Sequence, residues 1–302
     1  MYKELEGITP PGDKSILWRY MSLEKFVSLL ATESLFFTRV DRFEDPFEGF
    51  RPPLIKYTYE LAINQAENTE KAGLESAVKA MENWHKYIMC NCWHQNEEES
   101  MAMWEKYQMR NSGIAIKTTM KNLKKSLSDE LDVFIGQIKY SSPETYEMKY
   151  IFDYVSGYVH VKDSSDTNTP FYFPYFFKRK AYEYEQEVRL IIDSHSLVGA
   201  YWGKNFGDIP LEDFFQKELE LPEIWEIGMP LKVDVQLLIG ETGEIIISPY
   251  TEDWVTEAVR SVVRQYGFDF KVNRSTLLDA SNLDYANSVV PELKRHFAQT
   301  KT

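Results

Sequence analysis

Cysteine is scarce in this chain. Only Cys90 and Cys92 occur among 302 residues, and neighbours two apart on one strand do not reach disulfide geometry comfortably. A disulfide framework is excluded. No apolar stretch approaches the about 20 residues needed to cross a bilayer, and the start from Met1 to Gly7 lacks the apolar centre of a signal peptide. The expectation is a cytoplasmic protein with no membrane partner. Gly-x-Gly-x-x-Gly, a Walker loop and His-Glu-x-x-His are also missing, and with them the commonest dinucleotide, phosphate and metalloprotease devices. Positive charge is short as well: 34 Lys and Arg face 47 Asp and Glu, a formal net charge of −13. That argues against holding nucleic acid mainly through its phosphates. Lys117, Lys121, Lys124 and Lys125 form one local basic cluster and Lys178, Arg179 and Lys180 another, and both read most simply as solvated faces.

What is present can build a large core, since 43% of the residues are hydrophobic and 15% aromatic. With no internal repeat, low-complexity tract or clear linker, residues 1–302 read as a single α+β domain. Its expected centre is a mixed, largely antiparallel sheet with helices packed around it. Strands are expected at Ile16–Met21, Ser34–Val40, Tyr87–Trp93, Ile114–Lys117, Val133–Tyr140 and 182–193. Another pair, Leu231–Ile239 and Glu244–Ser248, reads as a hairpin joined at Thr242-Gly243. Helices are expected after Ser22, with Phe26, Leu29 and Leu30 as the apolar stripe, and after an Asn96/Glu99 capping box, carrying Met103, Trp104 and Tyr107 and ending at Gly113. Others are expected at Met120–Leu131, from Pro143, near Leu211–Leu219, and from Pro249 to Gly267 with Val255, Val259, Val262 and Val263 inward. Residues 54–86 read as a helical insertion or lid.

The most informative segment runs from Tyr182 to Asp193. Read as a strand, it places Gln186, Val188, Leu190 and Ile192 on one face and Glu185, Glu187 and Arg189 on the other. Carboxylates two apart stand about 6–7 Å from each other, where mutual repulsion raises a pKa and a guanidinium lowers it, so the cluster suits acid, base or cation-stabilising work. The plainer account is an exposed face with cross-strand ion pairs.

Cys90, Cys92 and His94 share a strand face with His85 nearby, but a fourth ligand for zinc is not identified. Buried free cysteine beside Trp93 is the simpler account, and no metal is expected. Asp45, Glu48, Glu185 and Glu187 together would suit magnesium or manganese and a nuclease or hydrolase. Against this, Asp45 and Glu48 read more simply as pinning the loop around Pro46 through its amides. The aromatic run 171–176 is either core or a stacking platform.

Several spaced motifs jointly resemble the bacterial domain of unknown function 2971 family. They are Leu17-Trp18-Arg19-Tyr20-Met21, Phe43-Glu44-Asp45-Pro46-Phe47-Glu48, Cys92-Trp93-His94, Met103-Trp104-x-x-Tyr107 with Gly113, Glu185-x-Glu187-x-Arg189, and Ile247-Ser248-Pro249 with Trp254. The resemblance extends from about Leu17 to about Ser275. This chain departs from the family pattern at Glu44, where Asn is usual, and at Cys92-Trp93-His94, where Cys-Phe-Ser is usual. A looser likeness, in the order of elements, is to ADP-ribosyltransferases. It implies NAD as substrate, with Glu187 stabilising charge on the ribose, Glu185 orienting the acceptor, and Arg19, Tyr20, Trp93, Tyr107 and Arg189 forming the binding pocket. A toxin or phage-defence effector, modifying a protein or nucleic-acid acceptor, is the role so implied. The remaining reading is a non-enzymatic module recognising a small molecule or a protein.

Overall fold

The computed structural model describes residues 1–5, 8–45, 48, 86–107, 112–129, 131–141, 172–193, 226–240 and 242–279, with isolated positions at 60, 63–64, 71, 75 and 290–291. The expected insertion at 54–86 lies almost wholly outside them. So do the helices expected from Pro143 and near Leu211–Leu219, and Phe171 of the aromatic run, whose Tyr172, Tyr175 and Phe176 are buried in the core.

Alternating apolar residues build a ten-stranded sheet. Its strands are β1 (Tyr2–Lys3), β2 (Ile16–Ser22), β3 (Ser34–Arg39), β4 (Ile88–Gln95), β5 (Gly113–Thr119), β6 (Val133–Gln137), β9 (Glu187–Asp193), β10 (Gly228–Lys232), β11 (Glu244–Ile247) and β12 (Val272–Arg274). β7 (Lys139–Ser141) and β8 (Phe177–Arg179) form a small parallel pair of their own. The main sheet runs β1-β6-β9-β4-β2-β5-β11-β12, with β10 and β3 joined to it through β4. Among the described residues only β1 with β6 and β11 with β12 are parallel pairs within it, so the class is α+β with a mixed, largely antiparallel sheet.

The period of two assigns the faces. Leu17 and Met21, Met89 and Trp93, Ile114 and Ile116, Val188, Leu190 and Ile192 all enter one core cluster. Helices cover that face because their apolar stripes match it. Helix Leu23–Thr32 contributes Phe26, Leu29 and Leu30, and helix Asp253–Gln265 contributes Val259 and Val263. The short helices Met120–Ser126 and Val235–Ile239 add Leu123 and Leu238. The opposite face carries two smaller clusters, one around Tyr175 and Phe176 and one around Trp18, Tyr20 and Trp104.

β4 sits at a fork. Gln95 and His94 pair with β2, while Cys90 and Met89 pair with β3 on the same edge. Between these short ladders the backbone is satisfied by side chains. Arg19 Nη1 donates to the Cys92 carbonyl at 2.6 Å, and Asn91 Nδ2 donates to the Phe36 carbonyl at 2.9 Å.

Several expected boundaries move for identifiable reasons. The helix carrying Met103 spans Met101–Lys106, and Ser100 caps it by accepting from the Met103 amide. The expected capping partner Glu99 instead accepts from Trp104 Nε1 at 2.9 Å. Gly113 opens β5 rather than ending that helix. The apolar run Val233–Ile239 contains a helix, because Asp234 accepts from the Leu237 amide and closes its first turn. No hairpin therefore forms at Thr242-Gly243; β10 pairs with β3 and β11 with β5 and β12. Among the described residues no helix is long and apolar enough to cross a membrane.

Candidate functional site

The face opposite the main core presents Trp18 and Tyr20 from β2, Cys92 and His94 from β4, and Glu187 and Arg189 from β9. Registers Trp18↔His94, His94↔Glu187 and Cys92↔Arg189 place them side by side. Helix Met101–Lys106, the 3-10 helix Lys180–Glu185, the residues Arg42 to Asp45 and Glu48 stand over this patch. Together they enclose a cleft of about 440 Å³.

Glu185 reaches the cleft by a different route from the one its spacing implies. The strand begins at Glu187, while Glu185 ends a 3-10 helix and Gln186 adopts left-handed backbone with φ of 37°. Two bonds hold the turn: the Gln95 amide donates to the Gln186 carbonyl at 2.9 Å, and the Gln186 amide to the Glu183 carbonyl at 3.1 Å. Nor is the charged face solvated. Glu185 and Glu187 are each 5% exposed and Arg189 is fully buried.

Lys178 is the hub. Its ammonium lies 2.7 Å from Glu48 Oε1, 2.6 Å from Glu185 Oε2 and 3.2 Å from Glu187 Oε2. Arg189 closes the network, with Nε 2.6 Å from Glu187 Oε1 and Nη1 2.9 Å from Glu48 Oε2. Lys106 pairs with the remaining Glu185 oxygen, and Arg179 holds Asp45 at 2.8 Å. The basic run at 178–180 is therefore not wholly a solvated face, since the Lys178 side chain is 8% exposed. The carboxylates of Asp45 and Glu48 bind cations across the cleft.

Burial alone would favour neutral forms here, and the opposed charges overrule it. Burial acts against the Glu187 carboxylate, yet Arg189 and Lys178 hold its pKa at about 2. Lys178 is likewise disfavoured by burial but raised by Glu187 and Glu48, and Arg189 is raised by the same carboxylates. Groups without such partners follow burial. Tyr107 is pushed up to about 12, the Cys92 thiol well above its ordinary range, and His94 down. At neutral pH the cleft thus holds fixed ionised pairs beside a neutral imidazole, thiol and phenol.

Of the residues expected to form a site, Glu185, Glu187, Arg189, Tyr20, Trp93 and Tyr107 all contribute to the cleft lining. Arg19 is not among the lining residues. Alternation puts it on the core face between Leu17 and Met21, with its guanidinium 5.7 Å from the Trp93 ring centre. Trp93 is committed to that face too, its Nε1 donating to Asn91 Oδ1 at 2.8 Å. Cys92 and His94 share the cleft face, as their spacing implies, and both cysteines are free; His85 lies outside the described residues. Sequence reasoning missed Lys178 and Lys106. The available signal for Lys178 was its place directly after the aromatic residues Tyr175, Phe176 and Phe177.

Residues 103–190 match the family model described as "Protein of unknown function (DUF2971)", which bears out the resemblance over the stretch from Met103 to Leu190. No curated protein and no solved structure matches the chain.

Proposed function

We propose that the cleft binds a nucleotide and that the protein consumes NAD as a transferase or glycohydrolase, in the manner of ADP-ribosyltransferases. One observation carries the reading: unmet hydrogen-bonding capacity collects in an aromatic-walled hollow. His94 Nε2 and Arg189 Nη2 are buried without a hydrogen-bond partner, and both residues line the cleft. An orphaned buried polar group costs about 1–3 kcal/mol, and a bound polar ligand restores that loss. Trp18, Tyr20, Phe43, Tyr107 and Tyr182 supply ring faces and edges against which a base or nicotinamide can pack.

Cleavage of the nicotinamide bond develops positive charge on the ribose, and an ionised carboxylate at that position favours the transition state over the ground state. Glu187 takes this role and Glu185 orients the acceptor, a protein or nucleic-acid group. Phosphate contacts pass from Arg19 to Lys25 and Arg42, cationic residues that line the cleft. A toxin or phage-defence effector fits such an activity.

The test is calorimetric titration with NAD, followed by an assay for released nicotinamide. Binding with release that falls at least a hundredfold in Glu187→Gln supports the reading. Neither binding nor release across protein and nucleic-acid acceptors overturns it, and binding without release points to a recognition module.

The metal-dependent hydrolase is the weaker account. Asp45, Glu48, Glu185 and Glu187 do line one cleft, but the Lys178 ammonium contacts Glu48, Glu185 and Glu187 where a divalent ion would sit.

A further inference from the structure

We infer that His94 is the proton acceptor of the cleft, taking a hydrogen bond at Nε2 from an N–H or O–H of a ring-bearing ligand. The tautomer follows from one contact. His94 Nδ1 lies 2.6 Å from the Glu185 carbonyl oxygen, which can only accept, so Nδ1 carries the proton. A neutral ring then leaves Nε2 as a bare lone pair. Nε2 is buried and has no hydrogen-bond partner, and the residue lines the cleft.

The surroundings keep the ring neutral and fixed. Burial pushes its pKa down, against the opposing pull of Glu185. Glu187 stands beside it on β9, but that carboxylate is already held by Arg189 and Lys178. The Glu185 carboxylate is held by Lys106 and Lys178. From β2, Tyr20 meets the imidazole edge-on at 6.0 Å between ring centres. Charge reaches His94 already neutralised, so its basic nitrogen is available to a ligand.

A second orphan narrows the ligand class. Arg189 Nη2 is a buried donor without a partner, and it stands on the neighbouring strand two positions beyond the residue opposite His94. An acceptor and a donor on one sheet face, beside aromatic rings, match a planar group that presents both N–H and C=O. Nucleobases and the nicotinamide carboxamide share that pattern. The inference rests on the proposed nucleotide cleft for the identity of the ligand, and not for the state of His94.

The experiment treats the full chain with diethyl pyrocarbonate, which acylates unprotonated imidazole nitrogen, and locates the adducts by peptide mass spectrometry. The expected result is an adduct at His94 at neutral pH, with 1 mM NAD slowing its formation at least tenfold. Parallel arms with nicotinamide and with AMP identify which ring is seated. An adduct that none of these slows removes NAD as the ligand and leaves His94 standing as an open acceptor. Absence of the adduct in folded protein, with all five histidines modified after denaturation, overturns the assignment. Where NAD binds, His94→Phe should weaken it at least tenfold and His94→Gln, which restores an acceptor oxygen, should recover part of that loss. Unchanged binding in His94→Phe also overturns it.

Discussion

Lys178 and Glu48 lie 2.7 Å apart with their side chains 8% and 3% exposed, and they tie β8 to the segment that follows β3. Removing one member of a buried pair leaves the other charge without compensation. Lys178 serves three carboxylates, so Lys178→Met should destabilise the protein by about 3–5 kcal/mol. Urea unfolding at neutral pH measures it, and a change under about 1 kcal/mol would contradict the network as drawn.

Acid should act in two windows. His94 has a lowered pKa, so the unfolded chain takes up its proton first, and stability begins to fall as pH drops through about 6.5. Glu187 is depressed from 4.5 to about 2, so its contribution is present above 4.5 and is lost progressively between those values. Unfolding free energies at half-unit pH steps should show both slopes. His94→Gln should flatten only the upper one.

Arg19 and the cleft separate in a single variant. Arg19→Met leaves the Cys92 carbonyl unsatisfied at the fork, at an expected cost of about 1–3 kcal/mol in stability. Nucleotide binding measured by calorimetry should change less than threefold. A large loss of binding with unaltered stability would return Arg19 to the ligand.

Gly136 tests the packing behind the site. A Cβ there would stand 2.1 Å from Ile8 Cγ2 and 2.8 Å from Phe176 Cε1. Gly136→Ala should therefore lower stability by about 1–3 kcal/mol through overpacking, read as a drop in Tm.

Neither cysteine should behave as a nucleophile. Burial raises both thiols well above their ordinary range, so a thiol-exchange reagent at neutral pH should react slowly with native protein. After denaturation it should titrate the expected two thiols per chain. Rapid native reaction at Cys92 would show a more open cleft than the one described.

Which of these features were legible in the sequence follows from how local their causes are. The stripe Phe26, Leu29 and Leu30 and the face Val188, Leu190 and Ile192 depend on spacing alone, and both are buried as spacing implies. Val233–Ile239 satisfies strand and helix patterns alike, and the cap at Asp234 decides between them. The turn at Gln186 defeats a period-two reading of Glu185, because its left-handed backbone is held by a bond from Gln95, far away in sequence. Arg19 sits between Leu17 and Met21 on a plainly apolar face, and nothing in that triplet discloses a fork whose other limb is β3. The ion network joins Glu48, Lys106 and Lys178 to Glu185, Glu187 and Arg189, and the nearness of those first three to the last three is encoded by no local pattern.

The same sheet order constrains how the chain reaches its fold. β4 (88–95) pairs along its length with β9 (187–193), a partner synthesised much later. Until that segment arrives, one edge of β4 offers an open row of amides and carbonyls beside a run of apolar side chains, which is a template for pairing with other copies. Long-range strand pairing of this kind is slow as well. Nascent or truncated chains ending before Glu187 should therefore depend on protection from self-association. Because Glu187 and Arg189 are carried by the strand that seals that edge, the cleft and a closed sheet should appear in the same kinetic step.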